Sequence, residues 1–415
     1  MTTVHPLQGL KVLEFSHAVM GPTAGLLLAE LGADVVKIEP APNGDPTRQL
    51  AGFAAGYFSA YCRSKRSLAI DLKHPEGKAL VHRLVADADV VLENYGPGTM
   101  DRLGCGYAEL SAINPRLIYL ALKGYLKGPY ENRPALDEVV QFHAGLAWMT
   151  GPPGKPMRAG ASVNDIMGAM FGVIALQSAL IERQKTGKGT IVSAGLFENA
   201  CFLMSNYMAG MIAGEQELRP MPARRGAWAI YEPFATRGEG QVFVGVTSDS
   251  QWTRFIKEFD LQQLADDPKL ATNRLRTQQR EYIRPIIQAR LLELDLDDVK
   301  SRLERANVSW APVGKPSDLF EDAHLQAAGG LVDVFVGKGG GPAGQVVPLP
   351  ALPMAFGQDR ARPGLVRQPP LVGQHTEEVL RGIGVSPEEF VRLSQAGVVV
   401  STRGGQAGAA PVAQT

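Results

Sequence analysis

The position in this 415-residue chain best suited to covalent chemistry is Asp165. Asn164 and Asp165 directly precede an apolar, small-residue stretch, 166–181, that reads as a buried helix, where aspartate is a favoured N-cap. The same placement admits a second role. A helix N-terminus keeps a carboxylate ionised, and an ionised carboxylate in a water-poor site can attack an acyl carbon. Capping and nucleophilic catalysis are compatible at one residue. Of the seven histidines, His17 falls in the loop after the first strand and His143 in a small-residue segment, His-Ala-Gly-Leu-Ala. Each fits either a functional or a packing role. His5, His74, His82, His324 and His375 read as structural. Arg224 and Arg225 are adjacent in a segment rich in Pro, Gly and Arg. They suit a solvated linker, and equally a guanidinium pair that holds a carboxylate.

Several chemistries find no support. The Gly-x-Gly-x-x-Gly match at Gly339–Gly344 precedes Gln-Val-Val-Pro-Leu-Pro rather than a helix, so no helix dipole faces a pyrophosphate there. P-loop, His-Glu-x-x-His and Gly-x-Ser-x-Gly motifs are absent from the sequence, which disfavours phosphoryl transfer, zinc hydrolysis and serine hydrolysis. Cys62, Cys105 and Cys201 show no Cys-x-x-Cys spacing, so neither a disulfide framework nor a thiolate metal site is expected, and a reducing cytoplasm fits. Forty-two basic residues balance 42 acidic ones, leaving no electrostatic footprint for nucleic acid or an anionic membrane. A small-molecule partner is expected. The apolar stretch 166–181 is interrupted by Gln177 and Ser178 and reads as too short to span a bilayer.

The elements that must position these residues begin with a βαβ unit. It comprises a strand at Lys11–Phe15, a loop from Ser16 to Gly21, a helix opened by Pro22 and a strand at Val35–Ile38. A helix at Ala79–Ala86 leads into a strand at Val90–Glu93, and a further strand is read at Arg116–Leu122. This alternation predicts a parallel sheet covered by helices, with ligands at the strand-end loops Ser16–Gly21, Asn94–Gly98 and Gly124–Gly128. At roughly 150 residues per domain, two or three folding units are expected. The Pro-, Gly- and Arg-rich stretch 219–227 reads as a linker, with a second folding unit after it. The tail after Thr402 is small and polar and reads as disordered.

Nearly the whole chain resembles the family III CoA-transferases, a group that includes formyl-CoA:oxalate and carnitine CoA-transferases and, as close relatives, 2-methylacyl-CoA racemases. The resemblance is carried by Pro-Leu-Gln-Gly-Leu-Lys-Val-Leu-Glu-Phe at 6–15, Gly-Pro at 21–22, Leu-Gly-Ala-Asp-Val-Val-Lys-Ile-Glu at 31–39 and Gly-Asp-Pro-Thr-Arg at 44–48. It continues through Lys-Arg-Ser-Leu-Ala-Ile-Asp-Leu-Lys at 65–73, Glu-Asn-Tyr-Gly-Pro-Gly-Thr-Met-Asp-Arg-Leu-Gly at 93–104 and Lys-Thr-Gly-Lys-Gly at 185–189.

The resemblance implies a Rossmann-like α/β large domain whose N-terminal part is 1–205, a linker at 206–225, a smaller α+β domain at 226–320, and a second linker and C-terminal part at 321–415 that complete the large domain. It also implies an interlocked homodimer and Asp165 as the nucleophile of an acyl-CoA:carboxylate CoA-transferase. In that chemistry the aspartate forms a mixed anhydride and then an aspartyl-CoA thioester. No permanently bound cofactor or metal is implied, because the CoA thioester is itself a substrate. The resemblance further implies CoA contacts from His17, Ala18, Val19, Ile70, Lys73, Asn94, Tyr95 and Arg102. Lys73 and Arg102 would bind phosphate, although each alone also reads as solvated surface charge.

Three departures narrow the expectation. Pro40 stands where relatives often carry a basic residue, and Gln49 where oxalate enzymes carry an aromatic one, which disfavours oxalate. Leu136 replaces the proton-transferring histidine of the racemases and disfavours the alternative, 2-methylacyl-CoA epimerisation. Asp137 is expected to shape the site near Asp165, and His143 to contact a substrate carboxylate or to pack. Arg224 and Arg225 point to a C4 or C5 dicarboxylate such as succinate, mesaconate or a substituted succinate.

Overall fold

The computed structural model describes residues 5–214, 218–223, 226–338 and 341–402. Arg224, Arg225, Gly339 and the tail beyond Thr402 lie outside them. Two compact units are present, one made of 1–222 and 322–415, the other of 223–321.

The larger unit is built on β1 (Lys11–Phe15), β2 (Asp34–Pro40), β3 (Arg66–Ile70), β4 (Val90–Glu93), β5 (Ile118–Lys123) and β6 (Thr190–Gly195). These six strands are parallel in the order β3-β2-β1-β4-β5-β6, and the two-residue strand Val399–Val400 adds antiparallel to β3. Chain order reverses between β1 and β4. At such a switch point the loops leaving the two strands diverge to opposite sides and open a crevice.

Period-two alternation sends neighbouring residues of each strand to opposite faces. Val12, Val35, Val90, Leu92, Ile118 and Leu120 build the core on one face. Leu13, Phe15, Val36, Ile38, Val91 and Tyr119 build the other.

The helices of the first part of this unit are α1 (Met20–Glu30), α2 (Tyr57–Tyr61), α3 (Pro75–Val85), α4 (Thr99–Arg102), α5 (Tyr107–Ile113), α6 (Asp137–His143), α7 (Leu146–Thr150), α8 (Val163–Thr186) and α9 (Leu196–Gly214). α1 and α8 cover the first face through Leu28, Ala169, Val173 and Leu176. At 24 residues α8 is long and apolar enough by composition to cross a membrane. Here it lies on the sheet, with Gly168, Ala169, Gly172, Val173, Leu176 and Ala179 buried. The other face is covered partly by the far end of the chain, whose Leu380, Leu393 and Val398 join the core of α3 and α5. α9 continues to Gly214, so the segment 206–214, expected to begin a linker, is helix. Within 321–415, where a second linker was expected, a strand at Gly344–Pro350 pairs antiparallel with Leu331–Gly337.

The smaller unit holds a three-stranded antiparallel sheet, Ile230–Ala235, Gln241–Val246 and Ser309–Pro312, with the middle strand second in sequence. Helices Asp249–Glu258, Arg280–Leu292 and Leu296–Ala306 pack Phe255, Ile287, Leu291 and Leu303 against Phe234, Val242 and Val244.

Candidate active site

The crevice at the switch point is a cleft of about 220 Å³ in the larger unit. Its walls are the β1–α1 loop (His17 to Met20), Asn94 after β4, Leu122 to Gly124 at the end of β5, and Leu136 to Glu138 at the start of α6. Phe53, Tyr57, Ser162, Asp165 and Leu196 complete it.

Asp165 is the third residue of α8, not its cap; Ser162 occupies the N-cap position and makes no side-chain capping bond. The capping acceptor comes from another helix. One Asp137 carboxylate oxygen, Oδ2, accepts the backbone N–H of Asn164 at 2.7 Å and of Asp165 at 3.0 Å. The other oxygen takes the side-chain amide of Gln141, whose Oε1 accepts the Ala159 N–H at 2.7 Å. Asp137 and Gln141 are both buried. Asp137 therefore fixes the first turn of α8 and with it the nucleophile candidate.

That arrangement opposes the expected ionisation of Asp165. Its pKa is pushed up to about 7, first by burial and then by the charges of Asp137 and Glu138. Helix-terminal stabilisation of an anion amounts to about 0.3–1 kcal/mol in exposed settings, less than burial beside two acids costs. Burial and the two facing acids thus shift Asp165 toward the protonated form relative to an ordinary aspartate.

The opposite wall is held by hydrogen bonds. Asn94 clamps the His17 peptide from both sides, Oδ1 accepting its N–H at 3.0 Å and Nδ2 donating to its carbonyl at 2.9 Å. The His17 ring stacks on Tyr95 with centroids 5.4 Å apart, and burial lowers its pKa, favouring the neutral imidazole. Burial likewise pushes the Tyr95 phenol up to about 12. Val19 is buried at the N-cap position of α1, which has no side-chain cap, so the positive end of that helix opens on the cleft. The close approach of α1 requires glycine at position 21, where a Cβ would lie 2.5 Å from the Ser16 Cβ. At the end of β5, Lys123 pairs with Glu93 at 2.5 Å and donates to the Tyr95 carbonyl at 3.0 Å.

The cleft gathers His17, Ala18, Val19, Asn94, Asp137 and Asp165 from the residues singled out in the sequence. Tyr95 adjoins it through His17. The other expected contacts lie elsewhere. Ile70 ends β3 fully buried in the core cluster, paired with Pro40 and Val399, because its position in the strand points it into the sheet interior. Lys73 and Arg102 are exposed, with Arg102 donating to its helix neighbour Thr99 at 2.9 Å. His143 belongs to an aromatic group with Tyr125, Tyr130 and Phe197, its ring centroid 4.5 Å from that of Phe197 and its Nδ1 3.2 Å from the Tyr125 hydroxyl. It is not part of the cleft wall.

Phe53, Tyr57, Lys123, Glu138, Ser162 and Leu196 were not anticipated. Phe53, Tyr57 and Tyr61 recur every four residues, Phe53 edge-on to Tyr57 and Tyr57 tilted against Tyr61, with centroids 6.2 and 5.9 Å apart, a spacing legible in the chain. Glu138 and Lys123 carry no comparable signal, since only the packing of α6 and β5 brings them to the crevice.

A half-buried carboxylate at the switch point of a parallel sheet, facing a loop of fixed backbone polar groups and an uncapped helix end, defines an α/β enzyme site suited to acyl-group chemistry. Residues 7–376 match the family described as CoA-transferase family III, and the chain belongs to that family. It is a CoA-transferase. It is 31% identical to the succinyl-CoA:glutarate CoA-transferase of Homo sapiens, over 96% of this chain and 91% of that protein. It is 34% identical to the succinate–glutarate CoA-transferase of Agrobacterium fabrum, over 90% of this chain and 95% of that protein. Among solved structures, a CaiB/BaiF family protein from Brucella suis superposes with a TM-score of 0.80 at 32% identity, covering 92% of this chain and all of that one.

Proposed function

We propose that the chain transfers CoA from a succinyl-CoA-type donor to a C4 or C5 dicarboxylate through covalent intermediates on Asp165. The observation that carries this reading is the cleft carboxylate of Asp165, held by Asp137 and opposed by the His17–Met20 wall. The succinate and glutarate specificities of the human and Agrobacterium relatives support the substrate class.

The ionised Asp165 oxygen attacks the donor thioester carbonyl, the carbon–sulfur bond breaks, and a mixed anhydride and CoA thiolate result. The thiolate then attacks the aspartyl carbonyl, leaving an aspartyl-CoA thioester and the free donor acid. The acceptor carboxylate attacks that thioester, CoA thiolate departs, and the thiolate takes the acceptor acyl group from the second anhydride, regenerating Asp165. No proton moves to or from carbon, and Leu136 in the cleft wall has none to offer. The steps use no prosthetic group. Neutral His17, stacked on Tyr95, and the uncapped end of α1 supply polar contacts for the donor without adding a further ionised side chain to those of Asp137 and Glu138. Arg224 and Arg225 remain the sequence's candidates for the remote carboxylate. A homodimer suits the exposed apolar residues of the adjoining helices α8 and α9, including Met170, Ile174, Phe202 and Ile212.

A matrix of acyl-CoA donors and acids analysed by mass spectrometry tests the substrate class. Succinyl-CoA with glutarate should exchange faster than butyryl-CoA with butyrate. Donor followed by hydroxylamine should modify the peptide carrying Asp165, and Asp165→Asn should abolish both transfer and labelling. Transfer at wild-type rates by Asp165→Asn refutes the covalent mechanism.

A further inference from the structure

The β1–α1 loop is pinned not only by Asn94 but also by a buried ionic chain behind it, built in part from the Gly-Asp-Pro-Thr-Arg segment. Lys37 Nζ donates to the Ser16 carbonyl at 2.7 Å. The Thr47 hydroxyl oxygen accepts the Ala18 N–H at 2.8 Å. Ala18 needs such a restraint, for its φ is 60°. The left-handed region costs a residue with a Cβ roughly tenfold in population.

Thr47 is itself fixed from behind. Asp45 Oδ1 accepts the Thr47 N–H at 2.8 Å, and Asp45 Oδ2 pairs with Lys37 Nζ at 2.9 Å. The Asp45 N–H donates to Glu39 Oε2 at 2.8 Å, and the Glu39 carboxylate receives Arg48 through two bonds of 2.7 and 2.8 Å. Thr47, Asp45, Lys37, Glu39 and Arg48 are all buried. Buried ion pairs stabilise folds weakly, because desolvation offsets their attraction. What this chain of charges does supply is geometry: Lys37 and Thr47 both terminate on the backbone of the β1–α1 loop, at Ser16 and Ala18.

We infer that Thr47 is a positioning residue for CoA transfer, its hydroxyl holding Ala18 left-handed so that the His17–Met20 backbone is aligned for the CoA donor across from Asp165. Thr47 lines no part of the cleft and acts through Ala18. The inference rests on the reading of this loop as the donor-binding wall.

The test is a double-mutant comparison. Thr47→Val keeps the branched shape and removes the hydroxyl, Thr47→Ser keeps the hydroxyl, and each is made alone and together with Ala18→Gly. The readouts are kcat/KM for succinyl-CoA at saturating glutarate, KM for glutarate, the dissociation constant of free CoA by titration calorimetry, and the melting temperature. Thr47→Val should lower kcat/KM for the donor about tenfold and weaken CoA similarly, leaving KM for glutarate unchanged. Thr47→Ser should stay within about twofold of wild type, since its hydroxyl accepts the same bond. In the Ala18→Gly background the Thr47→Val penalty should shrink to about threefold or less, because glycine enters positive φ freely. If Thr47→Val does not fold, Thr47→Ala replaces it in the same comparison. An equal penalty in both backgrounds, or a loss by Thr47→Ser as large as by Thr47→Val, overturns the inference. Should wild type transfer CoA between no donor and acid, the proposed function falls, while calorimetry with CoA still decides whether Thr47 positions the loop.

Discussion

Replacing Asp165 by asparagine should stabilise the fold above neutral pH while removing the nucleophile. Burial, followed by the charges of Asp137 and Glu138, lifts this carboxyl from an ordinary 3.8 to about 7 in the folded chain. Unfolding returns it to the ordinary value. Because the folded pKa is the higher one, the contribution of Asp165 to stability is fully present below pH 3.8, is lost as pH rises toward 7, and stays lost above that. At 1.36 kcal/mol per pH unit the full loss is up to about 4 kcal/mol. Asparagine does not titrate and escapes it. Denaturant unfolding of wild type and Asp165→Asn at pH 4.5, 6, 7 and 8.5 measures the effect. The dependence on pH is the relevant quantity, since a chain with two units need not unfold in one step. The advantage of the variant should grow from pH 4.5 to 7 and level off by pH 8.5. A difference that does not change with pH would falsify the account of a carboxylate held against its charge.

If Asp165 must be ionised to attack, kcat/KM for the donor should climb with pH to a plateau above about 7. Asp137→Asn, which removes one of the two facing acids and leaves Glu138, should move that limb to lower pH; an unmoved limb with intact folding counts against the electrostatic role of Asp137. A 2-methylacyl-CoA incubated in deuterated water should show no enzyme-dependent exchange at its α-carbon, because no transfer step breaks that bond. Rapid exchange without any acceptor acid would favour epimerisation instead.

What the chain's own order of residues determined is local. The short apolar runs in Lys11–Phe15 and Val90–Glu93 are enough to specify buried strands, because the backbone period of two distributes Val12 and Leu13, or Val90 and Val91, to opposite faces whichever strands lie alongside. The extended motifs at 6–15, 31–39 and 93–104 likewise announced the family, because they are long runs of adjacent residues. The adjacency of β1 and β4, which makes the crevice, is a property of the sheet and appears in neither strand alone. α8 begins at Val163 rather than after Asp165, because its capping acceptor, Asp137, arrives from α6. Nor could a helix-terminal aspartate announce that its pKa would be raised toward neutrality: that depends on how much water is excluded and on which acids packing brings near, here Asp137 and Glu138. Ile70 and Ala18 make the same point from opposite directions, one expected to touch the ligand yet buried in the sheet core, the other given its backbone conformation by a hydroxyl from a distant segment. Hydrophobic periodicity is written in neighbouring residues, whereas desolvation, strand order and the partners of a buried polar group exist only once the chain has closed on itself.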